Sequence, residues 1–149
     1  MILPDFKAFP RTGRIVGIDW GQRRIGVAVS DPSREFVFAQ DAIVLPHGAE
    51  NHAELVAKIA TTEGATAIIV GLPLHADGSD SDTTKMVRAF VEHLSGLTDL
   101  PIGLIEENLT SHVAQENMGR VRVRDLKKKL DSESARVILE NAIALINRA

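Results

Sequence analysis

The stretch RIVGIDWGQRRIGVAVSD, residues 14–31, constrains this chain more than any other. An apolar run ends on Asp19, a short connection containing Gly21 follows, and a second apolar run ends on Asp31. Residues 14–19 and 25–31 therefore read as two strands joined by a tight turn. A carboxylate closing so apolar a run is costly to desolvate without a partner. Three readings meet this pattern: a metal ligand at the end of a central strand, a phosphate-binding loop in half of a nucleotide-binding fold, and a plain hairpin.

The remainder of the chain supplies the context. Residues 1–13, punctuated by Pro4, Pro10 and Gly13, read as an N-terminal arm that Phe6 and Phe9 tack to the body. Pro32 separates the second strand from a third at 36–45. His52, Leu55, Val56, Ile59 and Ala60 fall at helical spacing, which predicts a helix over 49–63 closed by Gly64. AIIVGLPL (67–74) is a continuous apolar run suited to a strand covered on both faces, and HADGSDSD after it is a polar loop. Met86, Val87, Phe90, Val91 and Leu94 predict a second helix that stops near Gly96. PIGLIEE (101–107) reads as another buried strand. A short helix is expected over Ser111–Met118, a basic linker over 119–131 and a final helix over Ser132–Arg148. The order β-β-β-α-β-α-β-α-α predicts an α/β fold. Its mixed five-stranded sheet has three leading antiparallel strands, then strand–helix alternation with parallel pairing. Residues 14–149 read as a single domain, with no interior linker long enough to divide them.

Bulk properties exclude several classes. The 149 residues suffice for a hydrophobic core, and the chain has no cysteine for a disulfide, a thiolate metal site or a thiol nucleophile. No apolar run approaches the ~20 residues that span a bilayer. The first residues lack the order of a signal peptide, so a cytoplasmic protein with no membrane partner is expected. The net charge of −3 means that any nucleic-acid surface must arise from local clustering.

The acids cluster by position. Asp19 ends the first strand and Glu106 and Glu107 end PIGLIEE, at the carboxyl ends of strands where open α/β sheets usually build their sites. Ala135, Ile138, Leu139, Ala142 and Ile146 form the apolar stripe of the last helix, and Asp131 lies one turn ahead of it. Carboxylates converging on one place repel and resist ionisation. A cation relieves this, and an all-oxygen ligand set without His or Cys suits Mg²⁺ or Mn²⁺. Paired divalent ions are one known way to cleave phosphodiesters. Each acid also has a plain reading: Asp131 as a helix cap, Glu106 or Glu107 as a solvated strand end.

RVRVRDLKKK (120–129) packs Arg120, Arg122, Arg124, Lys127, Lys128 and Lys129 against the lone Asp125. Such blocks are often solvated loops. Immediately before Asp131, in an acidic protein, this one is also placed to hold a phosphate backbone, with Arg23 and Arg24 of the first hairpin adding to the surface. The five histidines form no short metal-ligand pair and read as surface or helix-face residues. There is no Walker-type or GxGxxG motif.

GIDWGQRRIGVAVSD, IIVGLPLHADGS, EENLTS and LDSESARVILENA, in that order, resemble the YqgF (RuvX) family of small bacterial proteins in the ribonuclease H-like superfamily. The resemblance runs from about Arg14 over nearly the whole chain. It implies a ribonuclease H-like fold and a metal-dependent nuclease, linked in the family to maturation of the 5′ end of pre-16S rRNA and otherwise to Holliday-junction resolution on branched DNA. By position the family's acids fall on Asp19, Glu107 and Asp131, with Glu106 in reserve as a metal ligand. Two departures stand out: Asn108 occupies a position where the family usually carries arginine, and Trp20 and Gln22 replace the more usual turn residues. Two rival readings remain. Asp-x-Gly before a hairpin also serves actin-like ATPases as a phosphate loop, although these clamp nucleotide between two such domains. A non-catalytic nucleic-acid-binding module of the same fold is the other.

Overall fold

The computed structural model describes residues 1–108 and 123–149; for Asn108 and residues 123–132 it describes the backbone alone. The strands are β1 (Ile15–Asp19), β2 (Arg24–Ser30), β3 (Val37–Ala39), β4 (Ile43–Val44), β5 (Ala67–Leu74) and β6 (Ile102–Asn108). The helices are α1 (His52–Glu63), α2 (Asp82–Ser95) and α3 (Val123–Arg148). The sheet runs β3-β2-β1-β5-β6, with β4 also paired to β2. β1, β2, β3 and β4 pair antiparallel, and β1-β5 and β5-β6 pair parallel.

The sheet has six strands rather than the five expected, because the predicted third strand breaks in two. Ala39 faces Ala28 and Ile43 faces Ile25, so three residues (40–42) on the outer strand oppose two on β2. That extra residue is a β-bulge, which interrupts the ladder and bends the edge.

Alternation along the strands divides the core into two layers. Val16, Ile18, Ile25, Val27, Ile68 and Val70 pack with α1 and α2 on one face. Ile15, Ala28, Ala67, Ile69 and Ile105 pack with Ala135, Ile138, Leu139, Ala142 and Ile146 of α3 on the other. α1 starts at His52, three residues later than predicted, and ends on Gly64 in the left-handed region at φ 65. α2 starts at a capping box in which the Ser81 hydroxyl accepts from the Thr84 N–H while the Thr84 side chain accepts from the Ser81 N–H.

α3 begins at Val123, so the basic linker predicted over 119–131 is helical from 123 onward. No proline or glycine lies between Val121 and Ala149, and leucine, lysine, arginine and alanine, all good helix formers, dominate the segment. Charge repulsion, which suggested a loop, costs only tenths of a kcal/mol per helical pair. The helix predicted over Ser111–Met118 lies outside the described residues.

The arm is bound along its length. Ile2 bridges Ile102, and the Leu3 N–H donates to the Ile102 carbonyl at 2.9 Å, covering the outer edge of β6. Phe9 is buried, and Phe6 packs edge-on against it. The buried Arg34 guanidinium donates to the carbonyls of Pro10, Thr12 and Gly13 at 2.6, 3.0 and 2.9 Å.

The position of α3 depends on Gly17. A Cβ there would lie 2.7 Å from the Leu139 Cβ and 3.1 Å from the Ala135 carbonyl oxygen, neither of which is a flexible side-chain end. Gly17→Ala is expected to destabilise the protein by about 1–3 kcal/mol through overpacking. Urea unfolding checks this; an unchanged midpoint would show that α3 has room to shift.

Candidate active site

Three strand positions converge on the α3 face of the sheet. Asp19 follows Gly17 by two residues, so it shares that face. The β1-β5 register pairs Ile18 with Val70, and one residue further sets Asp19 beside Gly71, about 4.8 Å away in a paired sheet. Glu107, opposite Pro73 on β6, reaches back across β5. Its Oε2 lies 3.0 Å from where a Cβ on Gly71 would stand, and the Ile138 Cδ1 lies 2.5 Å from the same point. The missing side chain at Gly71 thus opens the space that Glu107 and Ile138 share, next to Asp19.

Glu107 is half-buried, and desolvation pushes its carboxyl up to about 7. Burial penalises the charged form when no cation answers it. An oxygen donor raised in this way, beside a second carboxylate and against a helix of apolar residues, fits a divalent cation chemically: the cation would supply the counter-charge that the apolar wall withholds.

Among the described residues no group of three or more His, Asp or Glu is close enough to hold a metal ion. Asp131, the third acid, lies in α3 four residues ahead of the buried Ala135, and its side chain is outside the described residues. Glu106 does not join the pair. It alternates to the α1/α2 face and is exposed. Since PIGLI is covered on both faces, the sequence alone left open which of the two glutamates faces α3.

The basic residues separate by face as well. Arg24, half-buried, alternates with Ala28 onto the α3 side. Arg23 is exposed and lines a groove on the opposite side with Trp20 and His52. Arg124, Lys127, Lys128 and Lys129 lie on the first turns of α3 with side chains outside the described residues, as are Arg120 and Arg122 entirely. The groove beside Trp20 is a feature that sequence reasoning missed: its lining comes from the first turn, residues 47–53 and α2, which only the fold brings together.

A raised carboxyl carries a signed consequence. Between its ordinary value of 4.5 and about 7, Glu107 holds a proton in the folded protein that the unfolded chain releases. Metal-free stability should therefore fall as pH rises through that window and level off above it. Glu107→Gln is expected to remove this part of the slope. In the wild type, Mg²⁺ added above pH 7 should raise the unfolding midpoint, and the variant should gain less. Urea titrations at several pH values, with chelator and with Mg²⁺, check both; identical profiles for the two proteins would contradict the burial of Glu107.

With this geometry in view, comparison with known proteins is informative. The family described as RuvX: Holliday junction resolvase matches residues 13–144. A protein of Nitratidesulfovibrio vulgaris named "Putative pre-16S rRNA nuclease" is 40% identical over 134 residues, covering 89% of this chain and 94% of its own. One of the same name from Maridesulfovibrio salexigens is 37% identical, covering 88% and 98%. Among solved structures, Thermus thermophilus RuvC in complex with a Holliday junction substrate superposes with a TM-score of 0.56 at 9% identity, over 91% of this chain and 96% of that one. That likeness is one of fold, and RuvC carries the ribonuclease H-like fold.

Proposed function

The chain belongs to the RuvX family, and from that premise we propose that it is a divalent-metal-dependent nuclease acting in 5′-end processing of pre-16S rRNA. The observation that carries the reading is the Glu107 carboxylate standing over Gly71, the neighbour of Asp19, on the α3 face. In this reading Asp19 and Glu107, joined by Asp131 from α3, hold Mg²⁺ or Mn²⁺. When bound, such ions supply an activated water and charge neutralisation at the leaving oxygen.

The chain's own residues account for the rest. Asp19, fixed by its ladder to Gly26 on β2, is held by the sheet rather than by a loop. Apolar residues of α3 keep bulk water from Glu107, which strengthens its attraction to any cation. In this reading Arg24, half-buried on the same face, and the basic residues Arg124, Lys127, Lys128 and Lys129 hold phosphates of the substrate. The plain-hairpin and phosphate-loop readings of residues 14–31 give no role to Glu107. The family's description also favours a second substrate, branched DNA, for the same acids. Among the described residues no helix is long and apolar enough to cross a membrane, and a pre-rRNA substrate implies action in the cytoplasm.

Two measurements test the reading. A pre-16S rRNA 5′ leader and a four-way DNA junction are incubated side by side with Mg²⁺ and with chelator. The leader should be cut only with the metal, and Asp19→Asn should slow cleavage at least about a hundredfold, as expected when a fixed charge is removed from a preorganised site. Preferential cutting of the junction would reassign the substrate, and full activity in the variant would remove Asp19 from the site.

Replacing Lys127, Lys128 and Lys129 with alanine should weaken binding across many sequences. The slope of log affinity against log salt should flatten by about one for each phosphate that the variant no longer neutralises. Alanine sustains the helix, so thermal stability should hold. An unchanged salt slope would take these lysines off the binding surface.

A further inference from the structure

Trp20 follows Asp19 directly and faces the other side of the sheet, where it packs against the α1/α2 layer. It forms the floor of a groove of about 550 Å³ between the first turn, the start of α1 and α2. That volume lies within the range of sites for small flat ligands. Its ring lies 5.4 Å from that of His52, tilted by 30°, and 6.5 Å from that of Phe90. The exposed Met86 adds a polarisable wall, and the exposed Arg23 and His47 stand at the rim. His52 is fixed by a 2.8 Å contact between its Nε2 and the Gln22 carbonyl, which ties α1 to the turn.

One atom here is out of balance. The Trp20 Nε1 is the only buried side-chain nitrogen or oxygen without a hydrogen-bond partner among the described residues. A buried orphan donor is costly, and buried tryptophans usually find an acceptor. The groove thus combines an aromatic floor, a soft thioether and a guanidinium at the rim.

We propose that this groove is a base-binding subsite for single-stranded nucleic acid, holding the base of a nucleotide next to the one whose phosphate lies at Asp19. This rests on the nuclease reading above and deepens it. Stacking between an aromatic ring and a base needs no particular sequence, because every base has a π-face. The nucleotide's phosphate also brings charge for Arg23 at the rim. The spacing follows from the backbone: the Cα atoms of Asp19 and Trp20 are about 3.8 Å apart. Their side chains leave opposite faces of one strand end, so a strand crossing the carboxyl edge of the sheet meets the acids on one side and the groove on the other. A paired duplex keeps its bases stacked inside and cannot fill the groove without extruding one.

Trp20 is the sole tryptophan in a chain without tyrosine, so its emission reports on the groove alone. The full chain, in chelator and low salt, is titrated with a short single-stranded RNA and with the matching abasic sugar–phosphate oligomer. The RNA should quench Trp20 saturably and the abasic oligomer should leave it unchanged. Ala89 lines the groove from α2 and is exposed, so Ala89→Phe fills the space without touching the core. It should weaken the quenching affinity at least about fivefold, the loss of one stacked base, with an unchanged circular dichroism spectrum. Equal quenching by both oligomers, or unaltered affinity in Ala89→Phe, would overturn the subsite. Because chelator separates binding from cleavage, the two readings fail separately. Base-dependent quenching in a protein that cleaves nothing supports the subsite and sinks the nuclease reading. Metal-dependent cleavage without quenching sinks the subsite alone.

Discussion

The seating of α3 on bare backbone at Gly17 and Gly71 governs the arrangement of the site. Leu139 and Ala135 approach β1 where a methyl group would collide with them, and Ile138 approaches β5 in the same way. This close approach has two effects. It buries the stripe from Ala135 to Ile146 against the sheet, one of the two layers of the core. It also sets the apolar Ile138 beside the Glu107 carboxyl at Gly71, so that the medium around Glu107 is drier than a strand end would otherwise provide. The raised Glu107 carboxyl is the electrostatic trace of that packing. In the proposed reading, stability and chemistry are therefore coupled through the same helix: the residues that seat α3 would also tune the affinity of the acids for a cation.

The period of two along β1 then gives the strand end two faces. Gly17 and Asp19 belong to the α3 layer, and Ile18 and Trp20 to the α1/α2 layer. Glu106 and Glu107 divide in the same manner on β6, so one is an exposed strand-end acid and the other is half-buried over Gly71 on the α3 face. A single-residue change of register in either strand would exchange these roles, and the ladders to β2 and β5 on both sides of β1 make such a slip unavailable.

Much of this was legible in the sequence, for identifiable reasons. The order of strands and helices followed from runs of different period, and the parallel half of the sheet followed from the strand–helix alternation after residue 48. Asp19 was marked because a carboxylate ending RIVGI has no cheap explanation. Four features were not legible. The bulge at 40–42 changes the pairing without changing the apolar pattern, since Ala42 is buried off the ladder. The start of α3 was hidden because a charge block reads the same in a loop and on a helix. The choice between Glu106 and Glu107 depended on parity in a strand buried on both faces. The groove beside Trp20 was hidden for a further reason: its residues come from separate elements and have no spacing in common.

The central claim is that Asp19 and Glu107 serve one cation on the α3 face of the sheet. The most direct measurement is a crystal structure of the protein soaked with Mn²⁺, with the ion located by its anomalous scattering. The account predicts an anomalous peak in front of Gly71, with oxygens of both Asp19 and Glu107 at coordination distance. A peak held by Glu106 on the opposite face, or an Mn²⁺-saturated crystal in which Glu107 contacts no ion, would contradict it.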